Sequence, residues 1–253
     1  MHPPLIDPTH EHADKDGFRL RGVALARIDA FSDVVFGFAL TLLVVSLEVP
    51  KTYAELHASL RGFVPFAICF MLLMLIWYSH YKFFRRFGTH DLGTITINAL
   101  LLFVVLFYVY PLKFVFTMVS YWAMGFSIAS FDNLGQVREL MVIYGLGFMA
   151  IYLLLAALYW NGYRQRYVLH LNALEQVLTH NYIAGMAGSA MMGVLSCIAA
   201  MLLPERMIGL AGWAYALLSP MHLLVNRYYR GKIRLAAAGS SAAGQAPIGP
   251  EAA

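Results

Sequence analysis

Charge is what this 253-residue chain lacks: only 13% of its residues are Asp, Glu, Lys or Arg, where a soluble domain carries about a quarter. The few charges are bunched between long uncharged runs, which argues against a soluble enzyme, a disordered polypeptide and a nucleic-acid binder. Cysteine is scarce as well. Cys69 and Cys197 both fall within apolar runs, which leaves neither a disulfide framework nor a thiolate metal site. No Gly-rich phosphate loop and no Gly-x-Ser-x-Gly elbow occurs, so a membrane enzyme would have no nucleophile to use. The nine histidines form no His-x-x-x-His or His-x-x-His-His array, so a di-iron site has no ligands and no metal is expected. His10 and His12 form a His-x-His whose simplest reading is a mobile hydrophilic leader. No helix bears Arg at every third position, and Thr-Val-Gly-Tyr-Gly is missing. A voltage sensor and a carbonyl filter of that kind are therefore excluded.

What is present is apolar length. Hydrophobic side chains make up 60% of the chain. Charge-free runs cover 34–47, 62–81, 92–112, 140–163, 176–204 and 207–226, close to the roughly 20 residues that cross a bilayer as a helix. The expected architecture is all-α, an integral membrane bundle of six transmembrane helices with no carbonyl selectivity filter. The spans are placed at about 27–48, 60–82, 93–112, 139–162, 180–203 and 207–227. A leader (1–26) precedes this 27–228 six-span domain, and a basic, then disordered, tail (229–253) follows it. A seventh uncharged run, 114–131, contains Gly125 with Tyr121 and Trp122 and reads as an interfacial connector.

Orientation follows from the basic residues. Thirteen Lys and Arg lie in the N-terminal segment, the second and fourth loops and the tail, against five (Lys51, Arg61, Lys113, Arg138, Arg206) in the alternate loops. The positive-inside rule then puts both termini in the cytoplasm. The first 26 residues lack a secretory signal's apolar core and cleavage site, so the first span is expected to stay as a signal anchor. The net charge of +4 suits an anionic membrane surface better than nucleic acid.

The start of the first span is chemically unusual. It reads Arg27-Ile-Asp-Ala-Phe31-Ser32-Asp33 and continues through Phe38, Thr41, Leu42 and Val45 to Glu48-Val-Pro50. Charges inside a membrane helix normally face a partner or water. Arg27 and Asp33 are six residues apart, about 600° of rotation, so they lie on different faces and each needs a partner elsewhere. Trp77 and His80 at the end of the second span, and Asn98 one turn into the third, are at the right depth. Such a set can satisfy itself by hydrogen bonds that hold helices together, or it can act in gating or proton sensing. Phe38, Leu42 and Val45 share one face at i, i+4 and i+7, with Thr41 beside them; the same pattern would serve as a packing stripe. In the fifth span Ala184, Gly185, Gly188, Ser189 and Gly193 read as a close helix contact.

Arg-x-x-x-Phe-Ser-Asp (Arg27, Phe31, Ser32, Asp33), the Glu48-Val-Pro50 exit, Trp77-x-x-His80 and Asn98 with Pro111 together resemble the bacterial relatives of the endosomal and lysosomal potassium channel. The resemblance implies a potassium-selective leak channel of the bacterial plasma membrane, a homotetramer of six-span subunits. It implies that the first span lines the pore, with Phe38, Thr41, Leu42 and Val45 at a hydrophobic constriction and its hydroxyl layer. Arg27, Phe31, Ser32, Asp33, Trp77, His80 and Asn98 would then be the supporting network. Potassium ions, lipid and other copies of the chain are the partners implied, with no cofactor. This sequence departs from the family where Phe38 replaces the usual Leu or Ile and Val34 the usual Gly. The alternative is a proton-coupled secondary transporter with Asp33, His80 and Arg27 as its relay. The spans, however, show no internal repeat and no paired Gly or Pro interruptions of the kind transporters use.

Overall fold

The structure, a computed structural model, describes residues 13–24, 26–45, 51–53, 56, 60, 62–123 and 134–244. Its elements are α1 (Arg27–Val45), α2 (Phe63–Phe87), α3 (Leu92–Ala123), α4 (Leu134–Arg164), α5 (Ala173–Leu202), a 3-10 helix (Glu205–Leu217) and α6 (Leu218–Gly244). Helices Phe63–Phe87, Leu92–Ser120, Gly135–Arg164 and Ala173–Leu202 are four segments long and apolar enough to cross a membrane. The packing is serial. α1 touches α2 and α3, α3 touches α4, α4 touches α5, and α6 touches only α5 and the 3-10 helix among the described elements. α1 and α6 therefore lie at opposite ends of the bundle.

Local chemistry sets the helix ends. α2 stops at Gly88, whose φ of 58° is left-handed and whose N–H donates to Phe84 O (2.9 Å), a conformation open to glycine at little cost. α5 starts in a reciprocal capping box, Asn172 accepting from the Glu175 N–H and Glu175 from the Asn172 N–H, which satisfies two otherwise unpaired donors. At its other end Arg138 donates to the carbonyls of Ala200 (3.1 Å) and Leu203 (3.3 Å), placing a cation at the negative end of the helix. The small-residue stripe of α5 is in close contact on two sides. A Cβ on Gly193 would lie 2.8 Å from Gly145 O, and one on Gly185 would lie 3.2 Å from the His222 ring. Cys69 and Cys197 are free and buried.

Three sequence expectations need correction. The helix begun at Leu92 passes Pro111 and runs to Ala123, so 114–123 continues α3 instead of forming a connector; 124–133, with Gly125, lies outside the described residues. The tail, expected to be disordered, is helical to Gly244. It packs Ile233, Ala236 and Ala237 onto the bundle, and alanine resists helix formation least. The leader is the third. His10 and His12 lie outside the described residues, but 13–24 is a strap docked across the ends of α2 and α5.

A tight turn, with Asp14 N–H to Phe18 O and Gly17 N–H to Asp14 O both 2.8 Å, presents Phe18. Its ring is fully buried, 5.5 Å from that of Phe87 and 4.8 Å from the Arg86 guanidinium. Arg86, itself fully buried, pairs with Asp14 (2.7 Å) and with Asp16. Burial alone would push the Asp14 carboxyl up, but the Arg86 and Lys15 hydrogen bonds outweigh it and hold the group below its ordinary value. Glu175, also fully buried, takes both Arg19 and Arg21 at 2.9 Å. The strap closes backbone to backbone, with Arg21 and Gly22 N–H both 3.1 Å from Arg85 O. A side chain at Gly22 would overlap the Phe84 carbonyl.

Candidate functional site: the polar lock and free face of the first helix

α1 is apolar nearly all round, and the bundle makes its two faces different. Ser32, Val35, Phe36, Ala39 and Leu43 are buried against α2 and α3. Phe31 (62% exposed), Val34 (55%) and Phe38 (62%) are open, as are Gly37 and Thr41. The open side is one stripe at the spacing 31, 34, 38, 41, which keeps to one side of a helix.

The buried side carries the polar lock. His80 Nε2 donates to Asn98 Oδ1 (2.7 Å), Asn98 Nδ2 donates to Ser32 Oγ (2.9 Å), and Ser32 Oγ donates to Ile28 O (2.8 Å). The chain of donors runs one way across three helices. It fixes the His80 tautomer and leaves Nδ1 unpartnered within a buried ring. Phe36 and Phe84 flank that imidazole at 5.4 and 4.8 Å. Beside it, Trp77 Nε1 donates to Asp33 Oδ1 (2.8 Å). A buried polar group left unpaired costs about 1–3 kcal/mol. Asn98→Ala strands the His80 N–H and should lower stability by that amount, read as a lower melting temperature of the detergent-solubilised protein. An unchanged value would mean that water replaces the amide.

The predicted network is thus brought together in two pieces, Ser32–Asn98–His80 and Asp33–Trp77. Arg27 and Phe31 stand apart from both. Arg27 is exposed and forms no ion pair with a described side chain; the nearby carboxylates are engaged elsewhere, Asp29 with the Ala26 N–H and His90 and Asp33 with Trp77. The four predicted pore residues also divide. Phe38 and Thr41 are exposed, Leu42 is half-buried against the core, and the side chain of Val45 lies outside the described residues, as do Glu48 and Pro50. Thr41 Oγ1 donates to Phe38 O (2.8 Å), so its hydroxyl proton is spent within the helix and its lone pairs are left to face outward. The open face is wider than the sequence suggests, since Val44 on its flank is 50% exposed.

A cavity of about 240 Å³ opens at the N-terminal end of α1, lined by Asp29, Asp33, His80, Tyr81, Phe84 and Arg85. α1 is held at both ends, by the strap that ends three residues upstream and by Lys113 Nζ 3.4 Å from Leu43 O. Sequence reasoning counted Arg19, Arg21 and Arg86 only for topology and missed Asp14, Asp16, Phe18 and Glu175. The available signal was the alternation of acids and bases around a lone aromatic in 14–21.

Comparison with known proteins meets this geometry. Residues 27–108, which contain the lock and the open face, match the family described as endosomal/lysosomal potassium channel TMEM175. A protein of Marivirga tractuosa named potassium channel is 40% identical over 228 residues, covering 86% of this chain and 92% of that one. A second, potassium channel B446_29190 of Streptomyces collinus, is 31% identical over 85 residues, 31% of this chain and 41% of that one. Among solved structures, the potassium channel MtTMEM175, crystallised as a variant with a nanobody–MBP fusion, superposes with a TM-score of 0.76 at 36% identity, over 87% of this chain and 99% of its own. A lysosomal potassium-selective channel TMEM175 homolog from Chamaesiphon minutus shares the fold at 22% identity and a TM-score of 0.52, over 79% of this chain and 97% of its own. With relatedness extending over nearly the full length of both chains, this membrane protein belongs to the TMEM175 family of potassium channels.

Proposed function

We propose that the chain is one subunit of a homotetrameric, potassium-selective leak channel of the bacterial plasma membrane, with six spans and both termini in the cytoplasm. The observation that carries the proposal is the two-faced α1. One side is locked by hydrogen bonds and packing, and the other presents Phe31, Val34, Phe38 and Thr41, all exposed among the described residues. Four copies of that face around an axis make a pore without backbone carbonyls. Four phenyl rings at Phe38 form its narrowest level, where a dry constriction opposes ion passage. Thr41 sits one turn further along and offers hydroxyl oxygens to a partly dehydrated ion. Asp29 and Asp33, at the cytoplasmic mouth, raise the local cation concentration.

The lock is then a positioning device. Ser32, Asn98, His80, Trp77 and Asp33 set the rotation of α1, and with it the level of the Phe38 ring. A proton relay through Asp33, His80 and Arg27 has less support: the His80 N–H is engaged by Asn98, Asp33 by Trp77, and Arg27 is exposed.

Two measurements test this. Native mass spectrometry of the detergent-purified protein should give four chains, and potassium flux into liposomes should be fast and non-saturating. Slow, saturable uptake coupled to protons would establish a carrier instead. For topology, Tyr167→Cys and Gly239→Cys lie at exposed positions. Both should resist an impermeant thiol reagent applied outside intact cells and react after permeabilisation. Labelling of either from outside would overturn the six-span arrangement.

A further inference from the structure

The face of α6 turned away from the bundle has no protein partner among the described residues and a consistent chemistry. Arg227, Arg230 and Arg234 repeat at i, i+3 and i+7, so they form a ladder along one side, spanning about 10 Å. All three are exposed and none has a carboxylate partner among the described residues. Between Arg206 and Pro250 the sequence contains no Asp or Glu at all. Beside the ladder runs an apolar stripe of Leu224 (67% exposed), Tyr228 (64%) and Leu235 (77%). The opposite side of the same helix is the packed one. His222 Nε2 lies 3.0 Å from Ser189 Oγ, Asn226 accepts from Asn181 at 3.1 Å, and Ile233, Ala236 and Ala237 rest on the bundle.

We infer that this ladder is a binding site for the headgroup phosphates of anionic phospholipid in the cytoplasmic leaflet, with the acyl chains lying along Leu224 and Tyr228. The inference rests on the proposed pore. With α1 at the axis, the serial packing puts α6, which among the described elements touches only α5 and the 3-10 helix, farthest from it, so its free face meets lipid and not a neighbouring subunit. It also rests on charge. Unpaired guanidiniums form forked hydrogen bonds to phosphate oxygens, and their aliphatic stems lie against the adjoining apolar stripe. Length fits too: a sixth span ending near Arg227 brings residues 227–234 to headgroup depth, where basic side chains meet the negative surface potential. The nearest other cation, Lys232, is held by its own helix, 3.0 Å from Tyr228 Oη and 4.3 Å from the Tyr228 ring centre. The ladder is therefore the part left free for a ligand.

The test uses the full chain purified in detergent and supplied with phosphatidylglycerol or phosphatidylcholine, with retained lipid counted by native mass spectrometry. Wild type should retain phosphatidylglycerol in preference to phosphatidylcholine. Arg227→Gln/Arg230→Gln/Arg234→Gln should weaken that retention by about tenfold or more, since each cation near an anionic surface contributes roughly fivefold. Arg230→Gln alone should give a smaller loss in the same direction. Arg164→Gln/Arg166→Gln, on another cytoplasmic segment, should leave retention unchanged. Equal retention by wild type and the triple variant, or equal retention of both lipids, overturns the site. So does an equal loss in the Arg164/Arg166 variant, which would show diffuse charge alone. The same spectra count chains. Lipid loss in a protein that is not tetrameric would sink the pore proposal and leave the site standing, whereas a tetramer with no lipid loss would do the reverse.

Discussion

Phe38→Ala should raise potassium flux in liposomes several-fold over wild type and let sodium compete with potassium. The Phe38 side chain is 62% exposed on a helix whose other side is sealed. In a tetramer its ring meets three others at the axis, where a narrow apolar ring excludes water and with it a hydrated ion. Phenyl is bulkier than the Leu or Ile typical of the family at this level, so the resting pore should be closed or weakly conducting. Removing four rings at once should change both size and wetting. Val44→Ala is the comparison. Val44 is 50% exposed but lies about 120° around the helix from Phe38, so in the proposed tetramer it would face a neighbouring subunit and not the axis. Its truncation should leave both fluxes near wild type. If Val44→Ala changes the flux and Phe38→Ala does not, α1 is rotated by a third of a turn from the arrangement proposed.

Glu175→Ala should be the most destabilising single substitution outside the lock, by about 3–5 kcal/mol. Its carboxylate is fully buried and takes Arg19 and Arg21 at 2.9 Å each. It also caps its own helix through the Asn172 N–H at 2.9 Å. Removing it leaves the mostly buried Arg21 guanidinium (18% exposed) unpaired beside Arg19, which water partly reaches, and charge left unpaired in a buried position is what makes such losses large. The measurement is thermal unfolding in detergent. Limited proteolysis provides a second readout, because release of the strap should expose Arg19 and Arg21 to trypsin at temperatures where the bundle is still folded. Thermal stability within half a kcal/mol of wild type, with the same proteolysis pattern, would mean that the strap is held by Phe18 and by the Arg86 pairs alone. Because the strap ends three residues before Arg27, its release should also alter channel flux.

Much of this protein could be read from one dimension. Charge-free runs of membrane-spanning length are a property of composition along the chain. So is the oddity of an acid and a hydroxyl, Asp33 and Ser32, at the mouth of an apolar helix. The depth argument that drew Trp77, His80 and Asn98 towards Ser32 and Asp33 needed only residue counts from the span ends, because a helix rises by a constant amount per residue. The small-residue stripe of α5 announced a close contact for a similar reason, since little but a missing side chain lets helices approach so closely.

Tertiary structure alone decided the rest. In a helix that is apolar all round, periodicity has no contrast, because a face against lipid, a face against another helix and a face on a pore are built from the same residues. The sequence could not say that Leu42 is half-buried while Val44 is open. Nor could it say that Arg27, for all its place in the motif, has no carboxylate partner among the described residues. The strap was hidden for a different reason. Its residues look like a soluble leader, and what fixes them is Glu175, more than 150 residues away, together with Arg86. A polar segment that folds by satisfying buried charges on distant helices leaves no local pattern, and only the assembled bundle brings those charges to one place.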